Sequence, residues 1–170
     1  MTTPPVVTGD LDVGRRRWLR WLWIPVLAVV VASAWWWAFH PSDLSSSGRT
    51  IEARVKAGQT VYLGVPAGDD KARTVTIHSI KISAPGAEVS TWVCHDGAIA
   101  QTTRPEPFCK KWTGAKNARL AIGGGDQLVI GVTSDTPGVV EVGRAHLDFS
   151  DGLQRGSSDF GPTFRVEFLG

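Results

Sequence analysis

Methionine occurs in this chain only at position 1, and neither of its two cysteines is followed by a histidine a few residues on. A blue-copper centre takes two histidines, a cysteine and usually an axial methionine, so that kind of β-protein is set aside. An excess of charge is missing too. Of 18 Lys+Arg, Arg15, Arg16, Arg17 and Arg20 precede His40 and leave 14; of 16 Asp+Glu, Asp10 and Asp12 precede it and also leave 14. The part beyond His40 is therefore neutral, and no nucleic-acid partner is expected, because phosphate binding asks for a basic surplus.

Catalytic motifs are scarce as well. Gly123-Gly124-Gly125 lacks the Lys-Ser/Thr and the helix of a phosphate loop and reads as a hairpin turn. Asp148 to Gly152 lacks the alternating ligands and closing glutamate of a calcium loop and also reads as a turn. Neither a nucleophile elbow nor a paired-carboxylate signature stands out. Cys94 and His95 are adjacent, but a catalytic cysteine needs a positioned base and an electropositive setting. A zinc site would require His78, His95 and His146 to converge, and their spacing does not suggest it. The expectation is no enzyme, no cofactor and no metal.

What is present begins with Trp21 to Phe39, nineteen consecutive residues without a charge. About twenty apolar residues in a helix span the roughly 30 Å core of a bilayer. Trp18, Trp21 and Trp23 sit at one end and Trp35, Trp36 and Trp37 at the other. Indole rings favour the headgroup level, and Trp18 to Trp37 covers about 28 Å of helix. Arg15, Arg16 and Arg17 immediately before the span hold the N-terminus in the cytoplasm and place the rest outside. Pro25 falls near one end, where a membrane helix tolerates it with a kink. A cleaved signal competes with the retained anchor, since Ala32-Ser33-Ala34 fits a cleavage site and the chain would then be secreted. The apolar run beyond Ala34 favours the anchor.

The order expected along the chain is a disordered cytoplasmic tail over 1–14, the anchor over 15–40 and a Ser-rich flexible tether over 41–48. An exported domain follows over 49–170. Its apolar period is two, as in Leu128, Ile130 and Val132 or Phe164, Val166 and Phe168, the mark of half-buried strands. Strands are expected at Thr50–Val55, Thr60–Val65, Arg73–Ser83, Glu88–Cys94, Ala118–Ile122, Gln127–Thr133, Val139–Phe149 and Thr163–Leu169. The connections between them, such as Asp135 to Gly138, are rich in Gly, Pro and Asp. Val140 and Val142 share a parity that Ala145, Leu147 and Phe149 do not, so a bulge is expected at Gly143. The fold class is thus mainly β: one N-terminal transmembrane helix followed by an antiparallel β-sandwich of about eight strands, immunoglobulin-like in architecture. The general plan resembles small single-pass proteins of GC-rich bacteria that carry one exported β domain.

Cys94 and Cys109 both lie on the exported side, where thiols oxidise, and are expected to pair. They are too close in sequence to bridge two sheets as an immunoglobulin disulfide does, so the bridge should staple one loop to its flanking strand. The stretch from His95 to Arg119 is long for a sandwich loop and carries Arg104, Phe108, Lys110, Lys111, Trp112, Lys116 and Arg119. Such a basic and aromatic set suits an anionic envelope polymer, a lipid headgroup or an acidic partner surface. The alternative is that Phe108 and Trp112 fold inward while the lysines solvate the rim. A different role would lie in the helix, where Ala28 and Ala32 have the spacing that lets a second membrane helix pack closely.

Overall fold

Apolar side chains without charge over a stretch of this length favour a helix, and alternation at period two favours strands; the chain divides accordingly. The computed structural model describes residues 16–66 and 72–170, with side chains from Trp21 onward. The tail over 1–14, Arg15, the side chains of Arg16, Arg17 and Trp18, and the turn at 67–70 lie outside the described residues. Helix α1 (Arg16–Phe39) is followed by β1 (Ser46–Lys56), β2 (Val61–Val65), β3 (Arg73–Lys81), β4 (Glu88–His95), β5 (Gln101–Thr102), β6 (Lys111–Gly114), β7 (Arg119–Ile122), β8 (Gln127–Thr133), β9 (Gly138–Val142), β10 (Ala145–Asp151) and β11 (Gln154–Leu169). Two compact units result, Met1–Trp37 and Ala38–Gly170.

Within α1, the stretch Trp21–Phe39 is apolar all round, with Pro25 inside the helix. By length and composition it is sufficient to cross a bilayer. Trp21, Trp23, Trp35, Trp36 and Trp37 are exposed.

The second unit is mainly β, in two sheets. One sheet runs β1-β11-β10-β3-β7, with β9 beside β11, and the other runs β5-β2-β8-β4-β6. The larger apolar core takes Val75, Ile77, Leu147, Phe149, Phe160, Phe164 and Phe168 from the first sheet and Leu63, Val93, Leu128, Ile130 and Val132 from the second. These are the residues of one parity on each strand, and their burial supplies the main favourable term for folding.

Four expectations are corrected here. Eleven strands are present among the described residues rather than eight, because β5 and β6 are too short to show a period and the stretch Val139–Phe149 forms two strands, β9 and β10. The sheets are not wholly antiparallel: β1 pairs with β11 in parallel, from Thr50↔Thr163 to Lys56↔Leu169. Parallel neighbours cannot be joined by a hairpin, and these two are separated by most of the domain. Gly123–Gly125 is not a hairpin turn, since β7 and β8 belong to different sheets; it carries the chain across the core edge, with Gly123 and Gly125 at positive φ. The flip of parity near Gly143 is present, but as a break between β9 and β10. Val142 pairs with Phe164 and Ala145 with Phe160, so three steps on one side match four on β11.

A fifth correction concerns the tether. Residues 41–45 are fastened to the β unit. Leu44 is buried, its N–H donates to Ser158 Oγ at 3.2 Å, and Ser45 accepts from the Gly161 N–H. Arg73 donates from both terminal nitrogens to the carbonyls of Ser42 and Asp43, at 3.0 and 2.8 Å, and faces Asp151 at 3.6 Å. A Cβ on Gly156 would stand 2.4 Å from Pro41 Cγ, so only glycine lets the segment lie down there. This explains why Gln154–Asp159 shows no apolar period although it is strand. Its inward side is covered by the polar-rich entering segment, not by the opposite sheet. Replacing Arg73 by Ala should release this segment, at a cost of about 1–2 kcal/mol for two bonds from a charged donor. Faster amide exchange at Leu44 with little change at Phe164 is the expected reading; equal exchange in both proteins would deny Arg73 that role.

Candidate functional site

The disulfide is present: Cys94 and Cys109 are joined with their Cα atoms 5.3 Å apart. Cys94 is therefore no free nucleophile. As expected, the bridge staples a loop to its flanking strand, and the structure shows how that loop is seated. On β4 and β8 the parity opposite to the main core carries Trp92, Cys94, Val129 and Gly131 on the outer face of the second sheet. The loop folds back over this face. Ile99 is buried against Cys94 and Val129, with Tyr62, Cys109 and Trp112 packed around them as a second, smaller core.

Backbone bonds hold it there. Gly64 N–H donates to the Ala100 carbonyl at 3.2 Å, Gly97 N–H to Gly125, and Ile99 N–H to Gln127 Oε1 at 2.6 Å. Residues 101–102 then form β5 beside β2. Two glycines make the close approach possible. A Cβ on Gly64 would stand 1.7 Å from the Ile99 carbonyl oxygen, and one on Gly97 would stand 1.9 Å from that of Phe108.

The aromatic residues divide. Trp112 stacks on Trp92 with centroids 5.7 Å apart and meets Tyr62 edge-on at 5.8 Å. It is half-buried and belongs to the foundation of the loop. Phe108, at the end of a 3₁₀ turn over Glu106–Phe108, remains 51% exposed. The inward reading thus holds for Trp112 and fails for Phe108. Arg104, Lys110, Lys111, Lys116 and Arg119 are all exposed. Lys110 faces Asp96 at 3.4 Å, an exposed pair worth little. Arg104, Phe108, Lys110 and Lys111 belong to the stapled loop and its return into β6, whereas Lys116 follows β6 and Arg119 lies on β7 in the other sheet.

The histidines do not converge. His78 bonds Ser150 Oγ at 3.1 Å and His146 bonds Asp159 at 2.9 Å, both on the first sheet. His95 lies on the second, with Nδ1 3.1 Å from Asp126 Oδ2 and Nε2 2.9 Å from Thr113 Oγ1. Asp126 also accepts the Ala121 N–H at 3.1 Å. Asp126, His95 and Thr113 thus form a hydrogen-bonded chain, and through the Ala121 N–H the same carboxylate also holds the sheet-crossing turn. Among the described residues no three His, Cys, Asp or Glu are grouped as metal ligands would be.

Sequence reasoning passed over Tyr62, Gly64, Ile99, Asp126 and Gln127. A signal existed for some of them, since Tyr62 and Gly64 share one parity on β2 and Trp92 and Cys94 share one on β4. Two apolar parities on one strand indicate that both sheet faces are covered.

The class defined by fold and site is a two-sheet β domain with a disulfide-stapled loop, behind an apolar helix of membrane-spanning length. No family model and no curated protein matches the chain. Among solved structures it is similar to a family 123 glycoside hydrolase from Clostridium perfringens, at 10% identity and a TM-score of 0.29, over 71% of this chain. The chain spans 23% of that enzyme's length, and a likeness of this size carries neither fold nor activity across.

Proposed function

We propose that this protein is a single-pass membrane protein, N-terminus inside, that holds its β domain outside the cytoplasm as a non-enzymatic binding module. Its ligand is an anionic envelope polymer or the acidic surface of a membrane-protein partner. One observation carries this reading. The Phe108 ring stands exposed on a loop that a disulfide and a second core hold rigid, with exposed Lys110 and Lys111 immediately after Cys109. A pre-ordered aromatic and basic surface loses little entropy on binding and favours anionic partners. A disulfide in this position suits an oxidising compartment, and arginines before an apolar helix favour the stated orientation.

A second reading places the function in the helix. Ile24, Leu27, Ala28, Val31, Ala32 and Trp35 line a shallow apolar groove, and Ala28 and Ala32 allow close approach of another helix. A crosslinking pull-down from native membranes separates the two. The intact chain is compared with one carrying Phe108→Ala, Lys110→Ala and Lys111→Ala, and with one carrying Ala28→Leu and Ala32→Leu. The loop reading expects capture to fall by about thirtyfold or more in the first variant, the size of a lost hot spot, and to persist in the second. The reverse pattern moves the function into the membrane. An intact mass that includes residues 1–34 supports the anchor, whereas a product beginning after Ala34 supports secretion.

A further inference from the structure

We infer that the free edge of β1 pairs with β1 of a second copy of this chain, antiparallel, about a two-fold axis through Ala53. β1 stands at the end of its sheet, and among the described residues no strand or backbone hydrogen bond covers its outer edge from Thr50 to Val55. An uncovered edge presents a row of unpaired N–H and C=O groups, and proteins usually blunt it with proline, a bulge, a short strand or charged side chains, of which β1 carries Arg49, Glu52, Arg54 and Lys56. Here the pairing with β11 is regular from Thr50 to Lys56, with its irregularity confined to Ser46–Thr50, and no proline interrupts it. Ala53 is the centre of that regular run.

The charges on the outer face are arranged in rows that β1 leaves unfinished. Across β9, β11 and β1 one row reads Glu141, Arg165, Glu52 and the next reads Val139, Glu167, Arg54. Neighbours along them meet, with Arg165 3.7 Å from Glu141 and Arg54 2.8 Å from Glu167. The first row ends on an anion and the second on a cation. An axis through Ala53 brings Arg54 of the second copy opposite Glu52, and its Glu52 opposite Arg54, so both rows continue with alternating sign. The inner face matches as well: Ile51 comes opposite Val55, and the two Ala53 face each other. A shift of one residue would set core-facing side chains against solvent-facing ones, so the register is selected on both faces. The contact is isologous and closes as a dimer.

The test uses two charge reversals on the full chain in detergent, with mass measured by light scattering. Glu52→Arg places two arginines on each edge and Arg54→Glu two glutamates, so each variant alone should dimerise roughly ten- to thirtyfold more weakly than the intact chain. Mixing the two should restore association as a heterodimer, because every 52–54 pair is again opposite in sign. Recovery on mixing also demonstrates that each variant is folded. If either melts early, Glu52→Gln and Arg54→Gln replace them, and mixing then restores one of the two ion pairs. A chain that is monomeric throughout, variants that dimerise as the intact chain does, or no recovery on mixing overturns the edge pairing. Loss of the dimer in Ala28→Leu/Ala32→Leu, with both charge variants unaffected, assigns association to the helix instead. The outcome is independent of whether the loop at Phe108 binds a ligand.

Discussion

Reducing the Cys94–Cys109 bridge is expected to lower the melting temperature of the β domain by about 10 °C. The bridge closes a loop of fifteen residues, for which restricting the unfolded chain is worth about 3 kcal/mol. For a domain of this size each kcal/mol moves the midpoint by about 3–4 °C. Here the loss would also be local. Ile99 is buried only because the loop lies over Cys94 and Val129, so opening the staple exposes the second core while Phe149, Phe160 and Phe164 remain packed in the first. Thermal melts with and without reductant, with the Cys94→Ala/Cys109→Ala variant as a control, measure the effect. A midpoint unchanged by reduction would mean that Gln127, Gly64 and Ile99 seat the loop unaided. The order on which the binding reading depends would then come from these contacts and not from the disulfide.

Gly64→Ala should be destabilising by about 2–4 kcal/mol and should abolish binding with Phe108, Lys110 and Lys111 left intact. The sign is informative. Within an ordinary strand, alanine for glycine restricts the unfolded chain and stabilises by roughly 0.5–1 kcal/mol. At Gly64 the new methyl would sit 1.7 Å from the Ile99 carbonyl oxygen, against backbone and not against a flexible side chain. The loop must retreat, breaking the Gly64–Ala100 and Ile99–Gln127 bonds and uncovering Ile99. Its cost combines lost burial with unpaired polar groups. Calorimetry together with amide exchange over 96–110 measures both parts. A rise in melting temperature would show that the loop is not pressed against β2.

Much of the architecture was legible because it rests on patterns repeated over several residues. The helix follows from nineteen uncharged residues, and the long strands from alternation such as Leu128, Ile130, Val132. The pairing of Cys94 with Cys109 followed from their even number and from the side of the membrane on which the helix was expected to place them. The change of face between Val142 and Ala145 was visible as a change of parity, although its form, a break opposite β11, was not. Short or covered elements escaped. β5 has two residues and no period, and the first half of β11 hides its strand character because its inward positions, Gly156 and Ser158, meet the entering segment. The candidate loop was located as a whole, but its two aromatic residues could not be told apart.

By itself, the sequence determined where apolar surface must be buried: a uniform stretch suited to lipid, then alternating stretches suited to sheets that share a core. Those are local properties, set by the order of side chains along a few residues. Only the tertiary structure decided what lies against what. It laid residues 41–45 along β11, set β1 parallel to β11, turned Trp112 into the loop's foundation and left Phe108 outside. Each of these depends on contacts between residues far apart in the chain, where a glycine at 64 or 156 matters because of the atom that comes to lie above it. No periodicity along one segment records which distant segment will cover it.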